Sequence, residues 1–495
     1  MKTEYSKQHT ILTAALTVLV ISLELLDSSA MNMILPVLSV RFGNPVNEIH
    51  WVVTSYLLGM AITTPLSGWS GTRWGMKFTI LSSITLFLFA SVFCALSSSL
   101  LSLSIYRFLQ GACGGILTPA CMALLYNAFG EKKRVRASVI FSVPASLAPA
   151  IGPALGGWIN NAGDWPMIFW LSAGMAIVAT VLTLKVVNAD ASRKIVTPDY
   201  RSFFSASGSI FLFILMLSYV SSATAVSIAA VASLSLILMR YFIFRSLSLM
   251  KSGRQPLLMI ALFSHNTFRY TAIIMFLTSL AVSINMIVIP FVLEDARHSP
   301  SPWAGAIMSL HAVGILAGTL VAGKLASRWG EQKLLSTGLF GMACLTFILS
   351  AEAGAVQNSA LAMILLISGI AFGLTVVPLQ VLPFQGLSSA EIPHAATLFS
   401  VLRLLGMTGG ASLGAAGIGL PLSLSSVTLC MLMIALAGGV MLIGLGVSRF
   451  LPGKYSLTYR QNVQSNHCDK ASSSDKCQRL SATNLCCKNC PLNHY

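Results

Sequence analysis

Charge is what this chain has least of. Of its 495 residues only 9% are Asp, Glu, Lys or Arg, and 15 acids stand against 31 bases. A water-soluble chain carries about a quarter charged residues, so a soluble globular fold of this length is excluded. The chain also lacks a G-x-x-x-x-G-K-[ST] phosphate loop, an H-E-x-x-H helix and a G-x-S-x-G nucleophile turn. ATP hydrolysis, zinc-dependent hydrolysis and serine-hydrolase chemistry therefore have no residues to run on. No enzyme activity, cofactor or metal site is expected. The net charge of +16 raises the question of nucleic acid, but that needs a basic patch on a soluble face. Here the bases sit in short loops between apolar stretches, so no nucleic-acid partner is expected.

What the chain has is apolar length. Hydrophobic residues make up 55% and the mean hydropathy is +0.78. Stretches of about 17–25 apolar residues cross about 30 Å of hydrocarbon as helices, and they fall at 11–38, 50–70, 78–98, 101–128, 136–160 and 166–187. A second set of six lies at 268–293, 303–326, 333–351, 359–384, 394–418 and 426–448. Between the sets, 203–222 and 223–244 read as two more spans joined by a Ser-Ser-Ala-Thr turn. The first run holds acids and lacks a small-residue cleavage site, so it reads as a helix rather than a signal peptide. The expected fold is an all-α polytopic membrane protein of fourteen spans, two six-helix bundles plus two extra central helices. Its expected segments are an N-terminus 1–10, a bundle 11–187, a linker 188–202, the extra pair 203–244, a linker 245–267, a bundle 268–448 and a tail 449–495.

Short cytoplasmic loops are enriched in Lys and Arg. One set of loops holds Arg73, Lys77, Lys133, Arg134, Arg193, Lys251, Arg328 and Lys333 among others, and the opposite set offers little beyond Arg41 and Arg297. Both termini are therefore expected in the cytoplasm. Two of the basic loops repeat each other: GWSGTRWGMK (Gly68 to Lys77) and GKLASRWGEQK (Gly323 to Lys333) share G-x-x-x-x-R-W-G with a base beyond. Each follows the second span of its block. Equivalent loops in equivalent places imply two pseudo-symmetric halves, with a transported small molecule bound where they meet.

Two acids break the first span. Glu24 and Asp27 are three residues apart, about 60° around a helix, so they share a face. A charged side chain at bilayer depth costs about 2.5–3.5 kcal/mol on insertion scales, so such residues face a watery cavity or an ionic partner. A carboxyl buried beside a second carboxyl can exchange a proton near neutral pH. Arg107, six residues into the fourth span, needs an anion, and Glu24 or Asp27 is its obvious counter-charge. Gln110 lies one turn further on. Arg403 is the one strong base of the later block that stands well inside an expected span rather than near its end. In the fifth span Gly152-Pro153 and Gly156-Gly157 remove side chains and one backbone hydrogen bond, allowing a neighbouring helix to come close. Gly406, Gly410 and Gly414 make a similarly smooth face. Glu294, Asp295, Arg297 and His298 read as a solvated helix end.

Read in order, these motifs resemble a known group. LDSSAMNMILP (Leu26 to Pro36), GWSGTRWGMK, RFLQGACGG (Arg107 to Gly115), APAIGPALGGW (Ala148 to Trp158), RQPLLMIALFSHNTF (Arg254 to Phe268) and RLLGMTGGASLG (Arg403 to Gly414) resemble the signatures of the major facilitator superfamily. Within it they resemble the fourteen-span drug:proton antiporters, over Ile11 to Arg449. The resemblance implies alternating access by rocking halves. It makes Asp27 the proton-coupling acid and Arg107 a proton-transfer residue, and it assigns the basic loops (Gly68, Arg73, Gly75, Lys77; Gly323, Arg328, Gly330, Lys333) to gating and Gly152, Pro153, Gly156 and Gly157 to exchange rather than co-transport. Glu24 has no counterpart in the group. The group's loop Asp is replaced by Thr72 in one copy and Ser327 in the other, where a hydroxyl supplies a hydrogen bond but no charge.

The tail carries Cys468, Cys477, Cys486, Cys487 and Cys490 with His467 and His494; Cys487-Lys-Asn-Cys490 has metal-ligand spacing, but the rest fits no zinc module, and the segment reads as disordered. The expected function is proton-coupled export of a small lipophilic or cationic compound across the cytoplasmic membrane. In a Gram-negative cell the pump would add a periplasmic adaptor and an outer-membrane channel. Export of an endogenous metabolite such as a siderophore, or a non-transporting sensor on the same scaffold, are the alternatives.

Overall fold

The computed structural model describes residues 7–43, 51–130, 133–162, 165–187, 199–219, 225–252, 256–292, 301–352, 358–388, 391–418 and 426–451. The acids and bases at 294–298, the turn at 221–224 and the cysteine-bearing tail lie outside them.

The described part of each of the fourteen expected spans is mostly helix. The first half holds α1 (Lys7–Phe42), α2 (Trp51–Thr63), α3 (Leu66–Trp74), α4 (Met76–Ala95), α5 (Leu100–Phe129), α6 (Arg134–Ala162) and α7 (Met167–Val186). The extra pair is α8 (Tyr200–Tyr219) and α9 (Ala225–Lys251). The later half holds α10 (Asn266–Phe291), α11 (Ser301–Trp329), α12 (Glu331–Glu352), α13 (Asn358–Val381), α14 (Ile392–Ile418) and α15 (Ser426–Ser448). Among the described residues, 11 helices are long and apolar enough to cross a membrane, and Trp51–Thr63 and Tyr200–Met216 are shorter apolar ones. The expected second span, 50–70, is two helices, because Pro65 has no N–H to continue the ladder and α3 restarts with it as N-cap. α9 continues through Arg245 to Lys251, so the linker expected from 245 begins later. Of the helical cysteines, Cys94, Cys113, Cys121 and Cys430 are buried and Cys344 is exposed.

The two halves are built alike. In the first, α1 packs on α5, α6 and α7, α2 on α5, and α4 on α5 and α7; in the second, α10 packs on α14 and α15, α11 on α13, and α12 on α13 and α15. Glycine permits the closest approaches. A Cβ on Gly111 would stand 1.9 Å from the Tyr56 carbonyl oxygen, and one on Gly369 would stand 2.2 Å from that of His311. Gly115 faces the Met60 carbonyl in the same way, at 2.3 Å, and Gly373 faces that of Ile315 at 2.4 Å. These paired contacts put Tyr56 and His311 at equivalent places, twelve residues before Gly68 and Gly323 respectively. The repeated loops themselves turn at Gly75 (φ 87°) and Gly330 (φ 81°), a backbone region that residues with a Cβ avoid.

The halves join along two related seams, α3 with α14 and α6 with α11. Gly68 lies against His394 and Thr397 on one, and Gly323 against Val139 on the other. Of the extra pair, α8 lies beside the first seam. α8 packs on both α2 and α14, with Ile210 and Ile214 among Ala61, Val401 and Leu404, and Ser207 Oγ donates to the Ile62 carbonyl at 2.7 Å. Asp199, just before α8, is clamped by Arg245 of α9 through Nε at 2.9 Å and Nη2 at 2.7 Å.

Overpacking a close helix crossing costs about 1–3 kcal/mol. Gly111→Val and Gly369→Val should each lower the thermal unfolding midpoint of the detergent-solubilised protein. Gly439→Val, where an added carbon meets nothing within 4 Å, should leave it unchanged.

Candidate functional site

The polar residues of the first half converge on Arg107. Its side chain is wholly buried, and Nη1 donates both to Asp27 Oδ2 and, at 2.6 Å, to Gln110 Oε1. Nε reaches the Val52 carbonyl at 3.4 Å, and the guanidinium lies over the Tyr56 ring at 4.3 Å and the Phe169 ring at 5.7 Å. Asp27 Oδ1 accepts from Ser172 Oγ at 3.0 Å and from Gln110 Nε2 at 3.4 Å. Gln110 Nε2 also donates to Ser91 Oγ at 2.9 Å. Helices α1, α2, α4, α5 and α7 thus all hold one ion pair. Both expected partners of Arg107 were acids on one face of α1, and Asp27 is the one it takes.

Glu24 is held differently. Thr118 Oγ1 of α5 donates to its Oε2, while Oε1 is buried with no hydrogen-bond partner among the described residues. The cation within its electrostatic reach is Arg403, on α14 of the other half and half-buried. Thr118 lies eleven residues before Phe129 and Arg403 eleven after Ile392, each about 16 Å along its helix at about 1.5 Å per residue. That is about half the hydrocarbon thickness. On the opposite side of α1, Val18, Ser22 and Leu26 face Val139, Val143, Pro144 and Leu147 of α6 across an apolar groove of about 330 Å³.

Among the described residues, the equivalent place in the second half has no ion pair. Four residues before Gly111 stands Arg107, and four before Gly369 stands Leu365; Gln110 is matched by Ser368. His311 Nδ1 lies 3.0 Å from the Leu365 carbonyl oxygen and 3.1 Å from Ser368 Oγ.

At the face that bears the two repeated loops, first-half side chains grip the second half. Tyr126 Oη donates to the Gln380 carbonyl at 2.6 Å, Ser138 Oγ to that of Val377 at 3.2 Å, and Arg134 to that of Phe384. Thr72, which occupies the place of the group's Asp, donates to the Gly68 carbonyl at 2.8 Å and lies 3.3 Å from His394 Nε2 of α14. Arg73 lies over the Trp69 ring at 5.7 Å, and Lys77 donates to the Leu184 carbonyl at 3.1 Å. Lys333 is exposed. In the fifth-span motif, a Cβ on Gly152 would stand 2.0 Å from Ser29 Oγ of α1; for Pro153, Gly156 and Gly157 only the helical backbone is described. Gly406 and Gly410 bring α14 onto α10, where added carbons would meet Phe276 and Leu280 carbonyls at 2.5 and 2.1 Å.

Two helical bundles related by an internal repeat, enclosing charges at bilayer depth, define a multi-pass membrane transporter. The chain belongs to the Major Facilitator Superfamily, whose model matches residues 17–411. Over 382 residues it is 28% identical to the multidrug resistance protein B homolog of Mycobacterium tuberculosis, spanning 75% of this chain and 69% of that one. Over 420 residues it is 27% identical to the multidrug export protein EmrB of Haemophilus influenzae, spanning 81% and 79%. The fold is shared with the crystal structure of the human organic anion transporter MFSD10, at a TM-score of 0.65 and 14% identity, covering 89% of this chain and 99% of that one.

Sequence reasoning singled out Asp27, Glu24, Arg107, Gln110 and Arg403 but passed over Tyr56, Thr118, Ser172 and Ser91. The repeat register marks Tyr56 as the counterpart of a polar residue, His311. Nothing local marks Ser172 or Ser91, which matter only through the residues they face.

Removing one member of a buried ion pair costs about 3–5 kcal/mol, whereas replacing both with uncharged groups costs far less. Asp27→Asn and Arg107→Leu should each destabilise the purified protein strongly, and the double variant should recover most of the loss. A double-mutant cycle on thermal unfolding measures this.

Proposed function

We propose that the chain is a proton-coupled antiporter that exports small organic compounds, lipophilic or cationic ones, from the cytoplasm by alternating access. The observation that carries this reading is a pair of buried acids one turn apart in different electrostatic settings: Asp27 saturated by Arg107, Gln110 and Ser172, and Glu24 with a carboxylate oxygen left over. The names of the Mycobacterium and Haemophilus relatives support drug export as the direction and cargo class. Asp27 and Arg107 form the proton-coupling pair, with Gln110 bridging them. Proton arrival at Asp27 removes its charge and loosens its hold on Arg107, so the five helices gathered there can shift. Glu24 and Arg403 lie at one depth on the two halves, and their attraction changes as the halves rock.

The asymmetry of the basic loops supports an orientation with both termini in the cytoplasm. In that orientation the Tyr126, Ser138, Arg134 and Thr72 contacts close the inward side. Thr72 and His394 then replace the charged loop Asp of the group with a neutral hydrogen bond, and Gly68, Gly75, Gly323 and Gly330 let the loops lie flat against the seams. Gly152 lets α6 lie close on α1, and Pro153, Gly156 and Gly157 belong to the same exchange motif. The cargo has its binding surface between the halves, and the apolar groove that α1 and α6 form on the first half offers a surface suited to a lipophilic body.

Everted membrane vesicles containing the chain, given an imposed pH gradient, should take up ethidium faster than vesicles without it, and Asp27→Asn should abolish the gradient-dependent part. Screening neutral drugs and siderophores in parallel tests the cargo class. Absence of gradient-driven movement for every compound, with the protein verified in the membrane, would overturn antiport.

A further inference from the structure

The two extra helices are tied to each other at two depths. At the start of α8, Asp199 takes Arg245 of α9 on both carboxylate oxygens and also accepts from Ser202 Oγ. Ten residues further on, about 15 Å along the helix at about 1.5 Å per residue, two serines bond reciprocally. Ser209 Oγ donates to the Ser235 carbonyl and Ser235 Oγ to the Ser209 carbonyl, each at 2.9 Å. Ties at separate depths keep the helices from sliding or splaying apart. α9 has little else to hold, for it packs chiefly on α8 and only 11% of its apolar stretch is buried within the protein. Where α8 goes, α9 follows.

α8 in turn touches both halves, but it holds them differently. The last four carbonyls of a helix have no partner within it, and Ile62 is the next-to-last residue of α2, which ends before Pro65. Ser207 of α8 donates to that helix-end carbonyl at 2.7 Å. Toward the second half, α8 offers Ile210 and Ile214 to Val401 and Leu404 of α14, in an apolar cluster that also holds Ala61 of α2. A hydrogen bond weakens steeply once its length or angle leaves a narrow range, whereas apolar burial is non-directional and follows area. The bond to α2 fixes a position, and the contact with α14 tolerates displacement.

We propose that α8 and α9 ride as one body on the first half, with Ser207 as the anchor, and that the face of α8 against α14 is a sliding surface. As the halves rock, α14 moves past Ile210 and Ile214 while Ser207 stays on the Ile62 carbonyl. The pair is then a strap: it belongs mechanically to one half and keeps lipid tails out of the α2–α14 side in either orientation. The reciprocal serines and the Asp199–Arg245 clamp serve the same end, because a strap that came apart into single helices would not transmit the hold of Ser207 to α9.

This inference rests on the alternating-access reading above, and three distances separate the two. Nitroxide labels are placed at Phe89 on α4, Phe244 on α9 and Phe340 on α12, all exposed, through a genetically encoded keto-phenylalanine that leaves the native cysteines untouched. Pulsed electron resonance on the full chain in nanodiscs reads the pairwise distances at acid and at alkaline pH, each with and without ethidium. The α4–α12 distance reports rocking and should shift by several ångströms between conditions. The α9–α12 distance should shift with it, while the α9–α4 distance stays fixed. Ser207→Ala, which removes the anchoring bond and leaves both isoleucines, should broaden the α9–α4 distribution. A constant α4–α12 distance would overturn the rocking reading and the sliding surface with it. If α4–α12 shifts but α9–α4 shifts too, rocking stands and the assignment of the pair to the first half is overturned. An α9–α4 distribution unchanged in Ser207→Ala would overturn Ser207 as the anchor.

Discussion

A guanidinium at bilayer depth must be neutralised, and the first half of this transporter is arranged around that requirement. Arg107 cannot lose its proton and cannot reach the membrane surface. Asp27 cancels its charge, and Gln110, Ser172, Ser91 and the Val52 carbonyl satisfy much of the remaining hydrogen-bonding capacity of the pair. Those groups arrive from five helices, and they arrive because glycines let the backbones approach. Gly111 puts α5 directly against the Tyr56 carbonyl, which brings the Tyr56 ring onto the cation. One electrostatic demand therefore fixes the packing of α1, α2, α4, α5 and α7 together.

The second half repeats the backbone solution without the charge. The same glycine spacing joins α11 to α13, but Leu365 replaces Arg107 and His311 replaces Tyr56. A site of neutral groups asks less of its neighbours. Among the described residues Arg403 is the strong base that stands well inside a helix there, whereas Arg269, Lys324, Arg328 and Lys333 lie toward helix ends. Its placement on α14, level with Thr118, makes the two halves electrically unequal at mid-membrane. The extra helices add a second inequality, because α8 packs on both α2 and α14, whereas among the described residues neither extra helix packs on α6 or α11 to a comparable extent. Rocking in this molecule would therefore separate two seams of different character.

The loop face has its own departure. Where the superfamily places an acid, Thr72 offers a hydroxyl, and the residue opposite is His394 rather than a base seeking a charge. Carbonyl acceptors at Gln380, Val377 and Phe384 carry the rest of the grip. Hydrogen bonds to carbonyls at a helix end are individually worth about 1 kcal/mol, which suits the gating role proposed for this face.

The sequence by itself determined the spans, their order, the internal repeat and the residues Asp27, Glu24, Arg107, Gln110 and Arg403. These follow from local quantities: apolar length against membrane thickness, base placement in loops, and the high cost of any charge in hydrocarbon, which makes each intramembrane ion conspicuous. It also placed the two acids on one face of α1, since helical spacing is a property of the chain alone. Only the tertiary structure decided that Arg107 takes Asp27 and leaves Glu24 to Thr118, that Ser172 and Ser91 complete the pair, and that the second span breaks at Pro65. It alone placed the Tyr56 ring on the Arg107 guanidinium. Serine, threonine and tyrosine are ordinary in membrane helices, so nothing in their own neighbourhood marks them. What gives them a role is the register between helices far apart in the chain, and packing at glycine, rather than sequence spacing, sets that register.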